Sequence, residues 1–428
     1  MRPVEAHIRE TIQARGPITF SEFMELALFS PLGGYYTSGE RTGAWGDYYT
    51  SPTSHPLFGW LLAAQLLQMW DLLGRPDPFT VVEAGAGAGR LAMDIHEACD
   101  SLDHDLCAAL RYVAIDRVRP SAPVSLPLGA TRLVAQAVPL RRVVGCVLSN
   151  ELFDCFPVHR FSISGGRVLE VYVGMADGGL TEVTDAPSDP EIARRVQEAT
   201  GGDLPEGYRG EVCLGLDPWL AGVSAAMHRG FVLTVDYGAT AKGLYGPERS
   251  RGTLRSYYRH TVSGNPYVRV GRQDITAHVD FSELARAGQR HGLVNLGYAT
   301  QGSFLKNLGA DAYVAALARY GRTHGPAPTS EKKSQREGQA NRMAMAGLLD
   351  PEGLGGFRVL AQGKDVAEPA LWGFDPDNPH RRGLAEQGAS LAPPMRSSAH
   401  APLMEGRYPH AAFGADWEWG DGPPGEPR

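Results

Sequence analysis

The 428-residue sequence predicts an α/β protein, a seven-stranded parallel sheet with helices on both faces. Three observations carry this reading. Short β-rich runs alternate with helical ones from residue 79 onward. The first of them passes straight into a glycine-rich turn and then a helix. The composition, 43% apolar and 21% charged, supplies a real core and argues against wholesale disorder.

The elements follow in order. A capping box, Thr19-Phe20-Ser21-Glu22, signals the first helix, with Phe23, Leu26 and Ala27 on one face. Residues 30–52, SPLGGYYTSGERTGAWGDYYTSP, form a loop rich in glycine and aromatic residues. A second, apolar helix spans roughly 57–73 and ends at Gly74 and Pro76. Strands are expected to begin at Phe79, Leu110, Thr131, Gly145, Phe231, Leu293 and Phe357. A helix over 90–99 puts Leu91, Ile95 and Ala98 on one face. An insert separates the fourth and fifth strands, with alternating segments such as 168–173 and helices near 192–199 and 219–227. Residues 331–347, EKKSQREGQANRMAMAG, read as a solvated helix. Beyond 366 the chain turns to Pro, Gly and polar residues and predicts a mostly irregular tail. The expected regions are an N-terminal helical and aromatic-loop extension (1–76), a first part of the sheet domain (77–161), the insert (162–226), a second part of the sheet domain (227–366) and the tail (367–428).

Several function classes are disfavoured. A net charge of −7 argues against a nucleic-acid partner, which needs clustered Lys and Arg. Cys99, Cys107, Cys146, Cys155 and Cys213 are scattered, show no zinc-ligand spacing and suggest a reducing compartment, so no metal is expected. The first twenty residues carry Glu5 and Glu10 and lack an apolar core, unlike a signal peptide or an acid-free transit peptide. Residues 57–69 are too short and polar to span a bilayer. A cytoplasmic location without membrane insertion is the resulting expectation.

The strongest local signal is VVEAGAGAGRLAMDI, residues 81–95. A buried strand reaches Glu83, then Gly85, Gly87 and Gly89 allow a sharp turn and close ligand approach. The following helix offers unpaired N–H donors. The spacing is G-x-G-x-G, and Arg90 stands where a dinucleotide fingerprint needs its last glycine. The second strand ends in Asp116, placed to hold a ribose diol, although a helix-capping acid would fit there too. A nucleoside ligand without pyrophosphate satisfies both features, and S-adenosylmethionine (SAM) is such a ligand. The fourth strand runs into SNELFDCFPVHRF (149–161) and the fifth into Asp236 and Tyr237. Taken singly, Asn150, Glu151 and Asp154 also read as helix-start residues. Together with Glu83, Asp116 and Asp236 they converge on one rim of the sheet.

Eight segments then form an ordered set: ALFSPLGGYY (27–36), GDYYTSP (46–52), EAGAGAG (83–89), SNELFDCFPVHRF (149–161), LTVDYG (233–238), GTLRSYYRH (252–260), DITAHVDFSEL (274–284) and TQGSFLKNLG (300–309). The set resembles the MidA-type family of SAM-dependent methyltransferases over about residues 7–366. Animal members of that family are mitochondrial assembly factors for respiratory complex I that methylate an arginine on a core subunit. The resemblance implies a Rossmann-like class I methyltransferase fold with SAM as cofactor; the 162–226 insert matches the family less well and is expected to shape the acceptor site. Departures are mild: Ala86 stands where the family commonly has proline, Leu91-Ala92-Met93 where Thr-Leu-Met is usual, and Asp116 where glutamate is usual.

The expected cofactor residues are Glu83, Gly85, Gly87, Gly89, Asp116, Asn150, Tyr36, Gly46, Thr50 and Ser51. Tyr35, Tyr36, Trp45, Tyr48 and Tyr49 fit either a lid over the sulfonium or a loop packed on the core. An arginine acceptor is a delocalised cation, and carboxylates must grip it and free one nitrogen to attack. The candidates are Glu151 first, then Asp154, Asp236 and Asp47, although Asp47 also reads as a loop acid bonding its own backbone. Two other readings stay open. A small-molecule O- or N-methyltransferase would use His260 or His278 as base, and a non-catalytic assembly factor would keep SAM as structure.

Overall fold

Seven strands lay down the central sheet: β1 (Phe79–Ala84), β2 (Leu110–Asp116), β3 (Thr131–Val134), β4 (Val143–Asn150), β5 (Met227–Asp236), β6 (Val294–Thr300) and β7 (Arg358–Lys364). The computed structural model describes residues 2–38, 50–119, 126–258, 261–323, 331–397 and 400. The spatial order is β6-β7-β5-β4-β1-β2-β3. β1, β4 and β5 are nearly continuous apolar runs, because sheet neighbours and helices cover them on both faces.

The sheet is not wholly parallel as expected: β7 runs antiparallel to both β5 and β6. The chain leaves β6 at Thr300 and re-enters at Arg358, which pairs with it. Helical segments between 301 and 349 turn the chain round at that one end, so β7 can only run back.

Helices α1 (Pro3–Arg15), α2 (Phe20–Phe29), α3 (Ser51–Ser54), α4 (Leu57–Leu72) and α5 (Arg90–Leu102) precede or interleave with the first strands. α1 precedes the helix expected first; its stripe is narrow, only Val4, Ile8 and Ile12 being buried. Thr19 caps α2, accepting the Glu22 N–H at 3.1 Å. α4 and α5 pack one face of the sheet. Gly59 lets them touch, since a Cβ there would meet the Asp94 Cβ at 2.5 Å.

The insert folds as an antiparallel sheet of its own, with strands at His159–Ser164, Arg167–Ala176, Gly179–Asp185 and Arg209–Val212. Ile18–Thr19 joins it from the N-terminal region, pairing with Val173 and Tyr172. A helix over Leu216–Ala226 then returns to the central sheet.

Two expectations are corrected. α6 (Glu331–Leu349) is not simply solvated, for it buries Asn341, Ala344, Met345 and Leu348. Nor is the tail irregular throughout. Leu371 is fully buried against the core, and Pro379–Gln387 forms a helix capped by Asn378, with Leu384 buried. The cause lies in α4, which is apolar nearly all round and needs cover on its outer side. Its two buried glutamines hold the tail backbone. Gln65 accepts the Gly373 N–H at 2.9 Å, and Gln68 accepts the Trp372 N–H at 2.7 Å. Residues 401–428, with Trp417 and Trp419, lie outside the described residues. Among the described residues, no helix is long and apolar enough to cross a membrane.

Candidate active site

A cleft of about 640 Å³ opens at the C-terminal ends of β1, β2 and β4, within the size range of small-molecule sites. Its floor is the glycine turn. Gly85, Gly87 and Gly89 take φ of +77°, +48° and +77°, and Gly89 caps α5 in the left-handed conformation. A Cβ on Gly85 would press on Leu152 Cδ1 at 3.0 Å, whereas one on Gly87 would meet nothing within 4 Å. The Gly87 peptide is clamped from both sides. Its N–H donates to Asp116 Oδ2 at 2.9 Å, and its carbonyl accepts from Arg132 Nη2 at 2.7 Å. Asp116 Oδ1 accepts the Val118 N–H at 3.0 Å. Each Asp116 oxygen has a second lone pair for a ribose hydroxyl.

Glu83 is buried in the cleft wall and accepts the Tyr112 hydroxyl at 2.8 Å. Burial, reinforced by the charge of Asp116, pushes its pKa up to about 8. Asn150 and Glu151 line the wall beside it. Glu151 sits at φ +51°, a strained value for a residue with a side chain. Its N–H donates to the Val235 carbonyl at 2.9 Å, extending the β4–β5 pairing by one residue. Its Oε1 accepts from Asn150 Nδ2 at 3.0 Å and from the Ser51 N–H at 3.3 Å. Burial, then the nearby Asp236, raises its pKa to about 8. No helix starts here, so the capping alternative for Asn150 and Glu151 is set aside.

The other predicted acids stand behind this wall. Asp236 is fully buried and spends its oxygens on backbone: Oδ2 accepts the Leu152 and Phe153 N–H groups at 3.0 and 2.8 Å, and Oδ1 that of Tyr237 at 2.8 Å. It holds the turn that presents Glu151. Asp154 is buried too, its pKa driven well up by burial and by Asp236, Asp274 and Glu151. Neither lines the cleft, and placing them there is corrected. Once the chain turns at Glu151, the next acids point back into the protein.

Tyr36 and Thr50 line the cleft. The Tyr36 hydroxyl donates to Asp274 Oδ2 at 3.0 Å, and its ring stacks on Phe29 at 5.3 Å. Tyr35 is instead core, packed with α1 and α2. Ser51 contributes only its amide, because its hydroxyl is buried against Gln301 Oε1 at 3.0 Å. His278 bonds Arg249 Nη1 through Nδ1 at 2.9 Å and lines a separate cavity of about 40 Å³, away from the cleft. Gly46, Asp47, Trp45, Tyr48, Tyr49 and His260 lie outside the described residues. Three participants were not foreseen: Arg132, Asp274 and, as a cleft residue rather than a missing glycine, Arg90. Only a charge inside the short strand β3 hinted at Arg132.

Residues 61–299 match a family model described as "Putative S-adenosyl-L-methionine-dependent methyltransferase". The chain belongs to this methyltransferase family. It is 29% identical over 352 residues to "Protein arginine methyltransferase NDUFAF7, mitochondrial" of Mus musculus, covering 74% of this chain and 76% of that protein. Its Drosophila melanogaster homolog is 27% identical over 344 residues, covering 72% and 76%. A COG1565 superfamily member from Burkholderia thailandensis, described as a likely methyl transferase bound to S-adenosyl-homocysteine, superposes with a TM-score of 0.72 at 28% identity. It covers 86% of this chain and 94% of that one. The methyltransferase is therefore SAM-dependent, and its α/β architecture is that of its structural relatives. The glycine turn, the free lone pairs of Asp116 and the size of the cleft fit such a cofactor. One expectation falls: the cytoplasmic location is corrected by curated relatives that are named as mitochondrial.

Proposed function

We propose that this methyltransferase methylates a guanidinium nitrogen of an arginine in a protein. One observation carries the reading: Glu151 is a half-buried carboxyl on the cleft wall, held on a strained turn beside the glycine loop. The curated relatives, named protein arginine methyltransferases, support it. In this reading Asp116 takes the ribose diol, the turn through Gly85, Gly87 and Gly89 takes the amino-acid part, and Glu83 and Asn150 border the reacting centre. Tyr36 and Thr50, on the cleft wall, border the cofactor.

SAM supplies an electrophilic methyl on a sulfonium. Glu151, ionised, binds the guanidinium and localises its charge away from the attacking nitrogen. The N–C bond forms as the C–S bond breaks, S-adenosylhomocysteine leaves, and Glu151 accepts the proton that the nitrogen sheds. A carboxyl with a pKa near 8 is a competent base for that transfer. Asp236 acts through Glu151 by fixing its turn, and Asp154 adds a buried acid behind it. We read the sheet as a Rossmann-like class I methyltransferase sheet. The 162–226 insert contributes to the acceptor side, since Gly215, Pro218 and Trp219 at its C-terminal end line the cleft.

The test incubates the enzyme and its Glu151→Gln variant with methyl-labelled SAM and cell lysate, then hydrolyses the protein fraction. Recovery of label as methylarginine, lost in the variant, is expected. The first defined substrate to try is an arginine of a complex I core subunit, which the family resemblance implies. Label confined to small molecules would overturn the reading in favour of a small-molecule methyltransferase.

A further inference from the structure

The C-terminal segment packs behind the cofactor cleft, against α3, α5 and α6. Arg396 donates through Nε to the Ser54 carbonyl at 2.9 Å, at the end of α3. Its own N–H donates to Asn341 Oδ1 of α6 at 2.9 Å, the oxygen that His55 Nε2 also meets at 3.1 Å. Four residues on, the His400 side chain is only 2% exposed. Its Nδ1 accepts the Ser397 N–H at 3.1 Å, which leaves the ring proton on Nε2. That nitrogen faces Asp94 Oδ2 at 3.6 Å, and Asp94 is 1% exposed. Neither atom has a hydrogen-bond partner among the described residues. The other oxygen, Asp94 Oδ1, accepts from Arg90 Nη2 at 2.6 Å. Arg90, the first residue of α5, lines the cofactor cleft directly after the glycine turn.

A buried carboxylate shared by a cleft arginine and a remote histidine fixes the arginine's direction, because each partner removes one of the carboxylate's alternatives. We propose that His400 is a positioning residue for the cofactor: it holds Asp94, Asp94 holds Arg90, and Arg90 faces the cofactor's α-carboxylate. That carboxylate is the one anionic group of SAM, and a guanidinium is its natural complement. The C-terminal segment is then a working part of the cofactor site. The inference rests on SAM as cofactor and is independent of the acceptor's identity.

The test is calorimetry on the full chain with two probes. S-adenosylhomocysteine carries the α-carboxylate, and 5′-methylthioadenosine lacks the whole amino-acid part. His400→Leu keeps bulk and removes the donor. It is expected to weaken S-adenosylhomocysteine about fivefold to tenfold while 5′-methylthioadenosine stays within about twofold. His400→Gln, which keeps an N–H, is expected to restore most of the loss. Should His400→Leu fail to fold, Asp94→Asn provides the same two-probe comparison. Equal weakening of both probes would overturn the proposal, since it signals general distortion, as would unchanged S-adenosylhomocysteine affinity. Wild-type affinity for S-adenosylhomocysteine, measured in the same series, separates failure of this inference from failure of the cofactor assignment.

Discussion

The two sides of the cleft use acidic residues at strand tips in opposite ways. On the β1–β2 side, Asp116 is partly exposed, bonded to two backbone N–H groups and 4.0 Å from the Arg132 guanidinium. On the β4–β5 side, Glu151 stands on the cleft wall with Asp154 and Asp236 in the dry interior behind it, and burial raises the pKa of each. The first arrangement is a ready acceptor for hydroxyl groups. The second waits for a cation, because an incoming positive charge is what restores the carboxylate form. Residue type is shared; surroundings separate the roles.

The sharpest way to break this comparison is Glu151→Gln. It keeps the shape and removes the charge, so turnover should fall at least about 100-fold, the usual cost of losing a preorganised electrostatic group. S-adenosylhomocysteine affinity should stay within a few-fold, and the melting temperature should not fall. Near-normal methylation would remove Glu151 from the chemistry. On the opposite side, Gly87→Val puts a branched residue at φ +48°, with its Cβ directed into open space where the ligand approaches. Calorimetry should find no cofactor binding in a protein that still folds. Asp116→Ala should weaken cofactor binding by about 1.5–3 kcal/mol, the worth of hydrogen bonds to a charged group. Unchanged affinity would move the ribose elsewhere.

The smallest effect is in stability against pH. Glu83 and Glu151 titrate near 8 in the folded chain and near 4.5 when unfolded. Between those values the folded state holds protons that the unfolded state has released, so stability falls as pH rises. His55 works oppositely at lower pH: burial takes it from 6.5 to about 3, so its contribution rises with pH up to 6.5. In the window above about 6.5 the slope is therefore set by the raised carboxyls, Glu83 and Glu151 together with Asp154 and Asp236. Denaturant titrations there should show declining stability in the wild type and a shallower decline in Glu151→Gln. Over the same window kcat/KM should rise as Glu151 ionises, and a flat profile would count against its role.

Much of the cofactor side was legible because its signals are local. A buried run into Gly85-Ala86-Gly87-Ala88-Gly89 and an acid ending the next strand are each contained within one strand and one turn. Asp274, which receives the Tyr36 hydroxyl, was not legible, since 238 residues separate the two in sequence. The tail misled for a related reason. Its Pro- and Gly-rich composition suits a loop, yet Leu371 has a partner surface in α4 that no local pattern announces.

The sequence by itself determined the strands, the glycine turn and the set of acids near the rim, because periodicity and turn chemistry are properties of neighbouring residues. Tertiary structure alone decided which acids reach the cleft. Glu151 and Asp154 are three residues apart, and a single left-handed turn sends one to the wall and the other into the interior. It also decided the direction of β7 and the contact between His400 and Asp94, both set by where distant segments meet. Burial and proximity across hundreds of residues set those outcomes, and neither is written in any window of the chain.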